Sequence, residues 1–160
     1  MNKKCFIFDL DGVIVDTAKY HFMAWKNLAN SIGIDFSHAQ NEQLKGVSRK
    51  RSLEKILGWG NQTLSDIDFH SLMEKKNSEY LNYITTMDRS ELLPEVERTI
   101  HFLIEMNQYV TLGSASKNAR PILEKTNLIE AFDAIVDGND ISEAKPNPEV
   151  FLKAAQLTNT

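Results

Sequence analysis

The sequence predicts an α/β protein, a doubly wound parallel-sheet core with an all-helical insertion after its first strand. Three observations carry this prediction. A continuous apolar run, Cys5-Phe6-Ile7-Phe8, stands near the start; helical periodicity alone then holds from about residue 17 to 86; and beyond Leu93-Pro94 helix and strand patterns alternate.

The run Cys5–Phe8 reads as a strand buried on both faces, as parallel sheets require, with Cys5 as a buried thiol. From Thr17 apolar residues recur at spacings of three and four (Ala18, Phe22, Trp25, Leu28, Ala29, Ile32), with Asp16 or Thr17 as N-cap and Gly33 placed to end the helix. Ser48 precedes a shorter helix through Leu53, Ile56 and Leu57, and Ser65 a longer one from Phe69 to Ile84. Then come a helix (Val96, Ile100, Leu103, Ile104), a strand (Tyr109 to Leu112), a helix (Ala119 to Lys125) and a short strand (Ala134 to Val136), which is βαβ order. Asn147-Pro148 opens a last helix through Val150, Phe151 and Ala154 that is expected to run to Thr160. The expected domain bounds are 1–15 with 88–160 for the core and 16–87 for the insertion.

Composition narrows the function. The 160 residues carry 18 Lys plus Arg against 22 Asp plus Glu, a net charge of −4, and the basic residues are dispersed, so nothing marks a nucleic-acid or anionic-membrane surface. A single cysteine allows no internal disulfide, and the first apolar run is too short for a signal peptide, so a soluble, cytoplasmic protein is expected.

The segment Asp9-Leu10-Asp11-Gly12-Val13-Ile14-Val15-Asp16-Thr17 begins where the first strand ends. Open α/β sheets form their sites outside the carboxyl ends of strands. Two carboxylates two residues apart at such a place repel each other, and they require a cation, a shared proton or a task that uses both. A hard ion such as Mg²⁺ with a phosphorylated substrate meets that demand, one carboxylate attacking a phosphoryl group and its neighbour acting as general acid and base. Gly12 allows a sharp backbone turn. An EF-hand loop starting at Asp9 fails, because its fifth and sixth positions are Val13 and Ile14. An aspartate-rich turn without catalytic work stays the bland alternative. After the second core strand, Gly113-Ser114-Ala115-Ser116-Lys117-Asn118 offers hydroxyls and backbone N–H groups to an anion, with Ser114 the candidate phosphate ligand. Standing alone, that stretch fits a solvated turn as well.

The pattern Asp9-x-Asp11-Gly12-Val13 with Asp16-Thr17 resembles the first motif of the haloacid dehalogenase superfamily, and the insertion resembles its helical cap on a Rossmann-like core. His21, Trp25, Leu44-Lys45-Gly46-Val47-Ser48-Arg49, Ser52-Leu53, Ile56-Leu57, the Ser114–Asn118 run and Lys145-Pro146-x-Pro148 are similar to the β-phosphoglucomutase group within it, over essentially the whole chain. The resemblance implies that Asp9 is the phosphoryl-accepting nucleophile and an Mg²⁺ ligand. Asp11 would be the acid and base, with its backbone carbonyl on the metal, and Lys145 would balance the aspartyl phosphate. It further implies that Arg49, within Gly46, Val47 and Ser48, holds the distal phosphate of a sugar bisphosphate, for which a planar guanidinium is suited. Ser114, Ala115, Ser116, Lys117 and Asn118 would hold the transferring phosphate, and His21 and Lys76 would link cap closure to catalysis. His21 fits a plain place on its amphipathic helix equally, Lys76 a polar face beside Lys75, and Trp25 the apolar stripe. Glu95 stands where relatives commonly place glycine.

The implied reaction interconverts β-glucose 1-phosphate and β-glucose 6-phosphate through a bisphosphate and a phosphorylated Asp9. The nearest alternative is a sugar-phosphate phosphatase. The resemblance also implies a later acidic motif completing the metal site, and nothing after Lys145 supplies it. On that reading the chain is C-terminally truncated by about 60 residues, the length of two βαβ repeats, and leaves its first strand with an open edge. Such a chain is a poorly active part of the enzyme, or a non-catalytic phosphosugar-binding remnant, monomeric when complete and prone to swapped or edge-paired association when short. Little mutase activity is therefore expected from the purified 160-residue chain; turnover at an ordinary enzymatic rate by mass-verified protein would overturn that.

Overall fold

The computed structural model describes residues 3–160, which divide into two units: the described residues up to Thr17 with Met87–Thr160, and Ala18–Thr86. In chain order the elements are β1 (Cys5–Phe8), α1 (Ala18–Ser31), α2 (His38–Glu42), α3 (Arg49–Trp59), α4 (Asp66–Thr85), α5 (Val96–Glu105), β2 (Tyr109–Gly113), α6 (Ala119–Lys125), β3 (Ala134–Val136) and α7 (Glu149–Leu157), with 3₁₀ turns at Arg89–Glu91 and Ile129–Ala131. Among the described residues no helix is long and apolar enough to cross a membrane.

The first unit is built on a three-stranded sheet of order β1-β2-β3, parallel throughout. Pairs run from Cys5↔Tyr109 to Phe8↔Leu112 and from Thr111↔Ala134 to Gly113↔Val136. The central strand β2 is the buried one: Val110, Thr111 and Leu112 are sealed from solvent. The buried Thr111 hydroxyl reaches the Phe6 carbonyl (3.4 Å) and Cys5 Sγ (3.3 Å), which satisfies a polar group that burial would otherwise penalise. On α7, Val150 and Ala154 are buried and cluster with Val136, with Ile7 and Ile141 packed against them. Full burial of a valine such as Val136 or Val150 stabilises the fold by about 1.5–3 kcal/mol.

One expectation is corrected here. The strand β1 is not buried on both faces: Phe6 is exposed, and Cys5, Ile7 and Phe8 are only half-buried. Among the described residues its ladder runs to β2 alone, so its outer side lacks a covering strand. The Cys5 thiol is accordingly half-buried rather than sealed.

In the second unit the serines that precede two of the predicted helices cap them. Ser48 Oγ accepts from Arg51 N–H at the start of α3 and Ser65 Oγ from Asp68 N–H at the start of α4. Gly33, with φ +75°, follows the end of α1. Trp25, Leu28, Phe36, Leu53 and Ile56 form the core between these helices. The short helix α2 was not anticipated, although Ser37 and Gln40 make a reciprocal capping box at its start.

Glu95, at the entrance to α5, has φ +67° and makes no side-chain cap. Left-handed backbone costs a non-glycine residue about 1–2 kcal/mol, which explains why glycine suits this turn. Glycine would release that strain, lose an exposed ion pair with Arg98 (2.9 Å) that contributes little, and add about 0.4–1 kcal/mol of unfolded-chain entropy. The strain term is the larger. Glu95→Gly should therefore raise stability by about 0.5 kcal/mol in urea denaturation; a lowered midpoint would show that the turn is unstrained.

Candidate active site

The site begins where β1 ends. After Phe8 the chain turns back on itself: Gly12 N–H donates to Val15 O (2.8 Å), and the N–H groups of Ile14 and Val15 share Leu10 O (2.9 and 3.2 Å). Gly12 takes φ +77°, the conformation for which the sequence supplies glycine. The register Phe8↔Leu112 sets Asp9 and the Gly113-Ser114 pair at neighbouring strand ends, about 5 Å apart in the hydrogen-bonding direction.

Asp9 Oδ1 accepts the Leu10 N–H (2.8 Å), and Oδ2 pairs with Lys145 Nζ at 2.9 Å. The Asp9 side chain keeps 39% of its surface exposed and Lys145 20%, so the pair is reachable by a substrate. Lys145 also lies 5.0 Å from the Phe151 ring centre. Asp11 Oδ1 accepts a hydrogen bond from the hydroxyl of the fully buried Thr17. Thr17, one of the two residues expected to cap α1, holds the second carboxylate. Both aspartates thus have fixed orientations.

At the end of β2, Ser114 is fully buried and its N–H donates to Val136 O (3.0 Å). Its Oγ accepts from Ser116 N–H (3.1 Å), which leaves the hydroxyl proton to donate. Ser116 Oγ in turn accepts from Asn118 N–H (3.2 Å). Ala115 and Lys117 lie between these bonds, so the whole stretch is an ordered turn ahead of α6.

Lys145 sits on a loop fastened by a residue that sequence reasoning missed. Glu149 accepts from Ser142 N–H and Oγ (3.0 and 2.9 Å) and from Glu143 N–H (2.9 Å), and pairs with Lys153 Nζ at 2.7 Å. Asn147 Oδ1 receives the Glu149 N–H (2.9 Å), but from one residue before the N-cap, which is Pro148 rather than the expected Asn147. The Lys153 ammonium first, and then the N–H groups of Glu143 and Ser142, hold the Glu149 carboxyl down at a pKa of about 2. No local pattern announces this, because the carboxylate reaches back across the loop.

The helical unit places its candidates as follows. Arg49 opens α3, and its NH2 donates to Asn77 Oδ1 at 2.7 Å; burial lowers its guanidinium pKa. Gly46 has φ +72°, and Val47 N–H closes a turn on Leu44 O (3.1 Å), leading to the Ser48 cap. Lys76 departs from the polar-face alternative: Lys75 is exposed, but Lys76 is buried, its Nζ 3.0 Å from His21 Nδ1 and 4.8 and 4.6 Å from the Trp25 and Tyr80 ring centres. The His21 ring stacks on Tyr80 at 4.2 Å. Trp25 belongs to the apolar core of this unit, as its place in the stripe suggested, and also presents its ring to that ammonium.

For a metal, the hard oxygen donors at this strand end are the Asp9 carboxylate and the Asp11 backbone carbonyl, which match Mg²⁺ in kind. Among the described residues no group of three or more His, Cys, Asp or Glu is gathered as a cage.

Residues 3–159 match the family described as haloacid dehalogenase-like hydrolase. The chain is 43% identical over 156 residues to β-phosphoglucomutase of Bacillus subtilis (strain 168), covering 96% of this chain and 69% of that protein. It is 31% identical over 150 residues to fructose-1-phosphate phosphatase YqaB of Escherichia coli (strain K12), covering 94% and 77%. Its fold superposes on the crystal structure of β-phosphoglucomutase from Clostridium difficile with a TM-score of 0.93 at 40% identity, covering 100% of this chain and 72% of that one.

The Glu149 contacts set a pH dependence. A carboxyl depressed in the folded state contributes stability that is full above its unfolded value of about 4.5 and is lost as pH falls through about 2. Glu149→Gln should flatten the fall of the thermal midpoint across that window; an unchanged profile would show that the charge does not hold the loop.

Proposed function

This chain belongs to the haloacid dehalogenase-like hydrolase family, and on that premise we propose that it carries the phosphoryl transfer of a β-phosphoglucomutase, interconverting β-glucose 1-phosphate and β-glucose 6-phosphate. The observation that carries this reading is the Asp9–Lys145 pair at the carboxyl end of β1, beside the buried Ser114 and with Asp11 held by Thr17. The 43% identity to the Bacillus subtilis enzyme supports the mutase over the phosphatase.

In this mechanism phospho-Asp9 meets β-glucose 1-phosphate. Asp11 takes the proton of the 6-hydroxyl, the 6-oxygen bonds to phosphorus, and the bond from phosphorus to Asp9 breaks, giving the bisphosphate. After the bisphosphate reverses its orientation, an Asp9 oxygen attacks the phosphorus on O1. The P–O1 bond breaks, Asp11 returns its proton to O1, and β-glucose 6-phosphate leaves with Asp9 phosphorylated again. Acid and base are one residue used in both directions, which requires the fixed orientation that the Thr17 hydroxyl supplies to Asp11.

The remaining residues supply charge and placement. Lys145, already paired with Asp9, offsets negative charge gathering on the transferring group, and the Ser114 hydroxyl donates to one of its oxygens. Arg49, whose guanidinium is half-buried and bonded to Asn77, takes the second phosphoryl group of the sugar. Members of the family generally use Mg²⁺. Here the Asp9 carboxylate and the Asp11 carbonyl would hold it, and it would neutralise charge between carboxylate and phosphate. The substrate partner is a small sugar phosphate, and the proposed compartment is cytoplasmic.

The test is an assay of isomerisation against phosphate release, made on the chain extended through the later acidic motif that the resemblance implies, with β-glucose 1-phosphate and a trace of bisphosphate. Isomerisation should exceed release, and Asp9→Asn should lower both by about 10³-fold or more. Release as the dominant outcome would favour the phosphatase; full activity in Asp9→Asn would end the mechanism.

A further inference from the structure

We propose that the turn Asp137–Asp140, which follows β3, is a positioning element for the Ser114–Asn118 loop, and that Gly138 is the residue that lets it dock. The inference rests on the reading of that loop as the phosphate-holding loop, and it assigns work to residues on a different strand end.

The docking is backbone against backbone. Gly138 N–H donates to Ser116 O (3.0 Å), and Asn139 Nδ2 donates to Lys117 O (3.0 Å), so consecutive carbonyls of the loop are held by consecutive residues of the turn. A Cβ on residue 138 would lie 2.4 Å from Ala115 O and 3.0 Å from Lys117 N, both backbone atoms, and 2.9 Å from Lys117 Cγ. The side chain could swing aside, but the two backbone atoms could yield only by moving the loop. The requirement is one of space, since Gly138 does not need the left-handed backbone of Gly12, Gly33 and Gly46.

The turn is itself stiff. Asp137 is 1% exposed; its Oδ1 accepts from Asn139 N–H (2.8 Å) and Nδ2 (3.0 Å), and its Oδ2 lies 3.3 Å from Arg120 Nε, an ion pair without hydrogen-bond geometry. Arg120 also donates to Ile135 O (3.0 Å) and reaches Asp140 Oδ2 (3.3 Å), which accepts from Asp137 N–H (2.9 Å). Asn139, the donor to Lys117 O, is therefore held in place by a buried carboxylate with its own arginine.

The consequence for the loop follows from peptide geometry. In a trans peptide the C=O and the N–H point in opposite directions, so carbonyls of residues 116 and 117 drawn onto the turn send the N–H groups of Lys117 and Asn118 away from it. Asn118 N–H meets Ser116 Oγ, and the Lys117 N–H is the one the docking aims outward, where an anion can be met. Displacing such a donor by a fraction of an ångström weakens what it holds, as misplacement of about 1 Å can cost up to 10²-fold in rate.

The test uses inorganic phosphate titrated into the ¹⁵N-labelled chain, following the amide signals of residues 114–118, for wild type, Ser114→Ala, Gly138→Ala and Asn139→Ala. Gly138→Ala should weaken phosphate about tenfold and Asn139→Ala about threefold, with shift changes in the free protein confined to residues 114–118 and 137–140. A purely structural role would lower the thermal midpoint and leave phosphate affinity alone. Affinity within about twofold of wild type in both turn variants, with Ser114→Ala weakened, would overturn the inference while sparing the phosphate-loop reading. Unchanged affinity in Ser114→Ala would overturn that reading and the inference with it. If Gly138→Ala does not fold, Asn139→Ala, which alters no charge and no backbone space, decides in the same way.

Discussion

Parallel pairing of β1 with β2, in the register Phe8↔Leu112, is the constraint on which the rest depends. A parallel pair cannot be closed by a tight turn, and here the connection carries the whole helical unit, so the ladder joins segments far apart in sequence. Residues alternate faces along a strand, so a slip by one position would turn Ile7 out of its contact with the Val136–Val150–Ala154 cluster. It would also carry Asp9 away from the Ser114 strand end. Core packing thereby selects the register, and the register composes the site.

The two sides of that strand-end pair are held differently. Asp9 and Lys145 are partly exposed, and an ion pair in that setting contributes about 0–1 kcal/mol to stability. What the pair provides is a carboxylate and a cation side by side at an accessible strand end. Ser114 is buried, and a buried hydroxyl must be hydrogen-bonded or it penalises the fold. The Ser116 N–H satisfies it, and the same bond shapes the loop. The carboxylate is thus the accessible member, and the buried hydroxyl is the one that shapes its loop.

Legibility from sequence follows the range of the interaction. Strands β2 and β3 and helices α1, α3, α4, α5 and α6 were readable because their periodicity and caps are local, as Ser48 and Ser65 illustrate. The five-residue α2 is too short to show a period, and only its Ser37–Gln40 box marks it. The exposure of Phe6 was hidden because an apolar run says strand without saying what covers it. Lys76 was hidden behind Lys75, since its burial depends on aromatic rings from α1 and α4. At the site, Asp9, Asp11 and Ser114 were legible from their places after strands. Thr17 on Asp11, Glu149 beneath the Lys145 loop, and Gly138 against Ala115 and Lys117 were not, because each acts through folded geometry.

These hidden residues share a physical character that bears on how the protein works. The segments at the carboxyl edge of the sheet are shaped by short-range hydrogen bonds: 114–118, 137–140 and 142–149 carry side-chain to backbone bonds, whereas 9–17 is turned mainly by backbone bonds to Leu10 O and buries Leu10, Ile14 and Val15. Such bonds contribute about 0.5–1.5 kcal/mol each, small beside the core but directional. A substitution there moves donors and acceptors by fractions of an ångström while β2 and its packing persist. Apolar packing is weakly directional and tolerates repacking, so it suits the scaffold. Phosphoryl transfer needs a nucleophile, an acid and anion donors at fixed angles, and this chain assigns those angles to hydrogen bonds. The division lets site geometry be tuned, or lost, with global stability little changed.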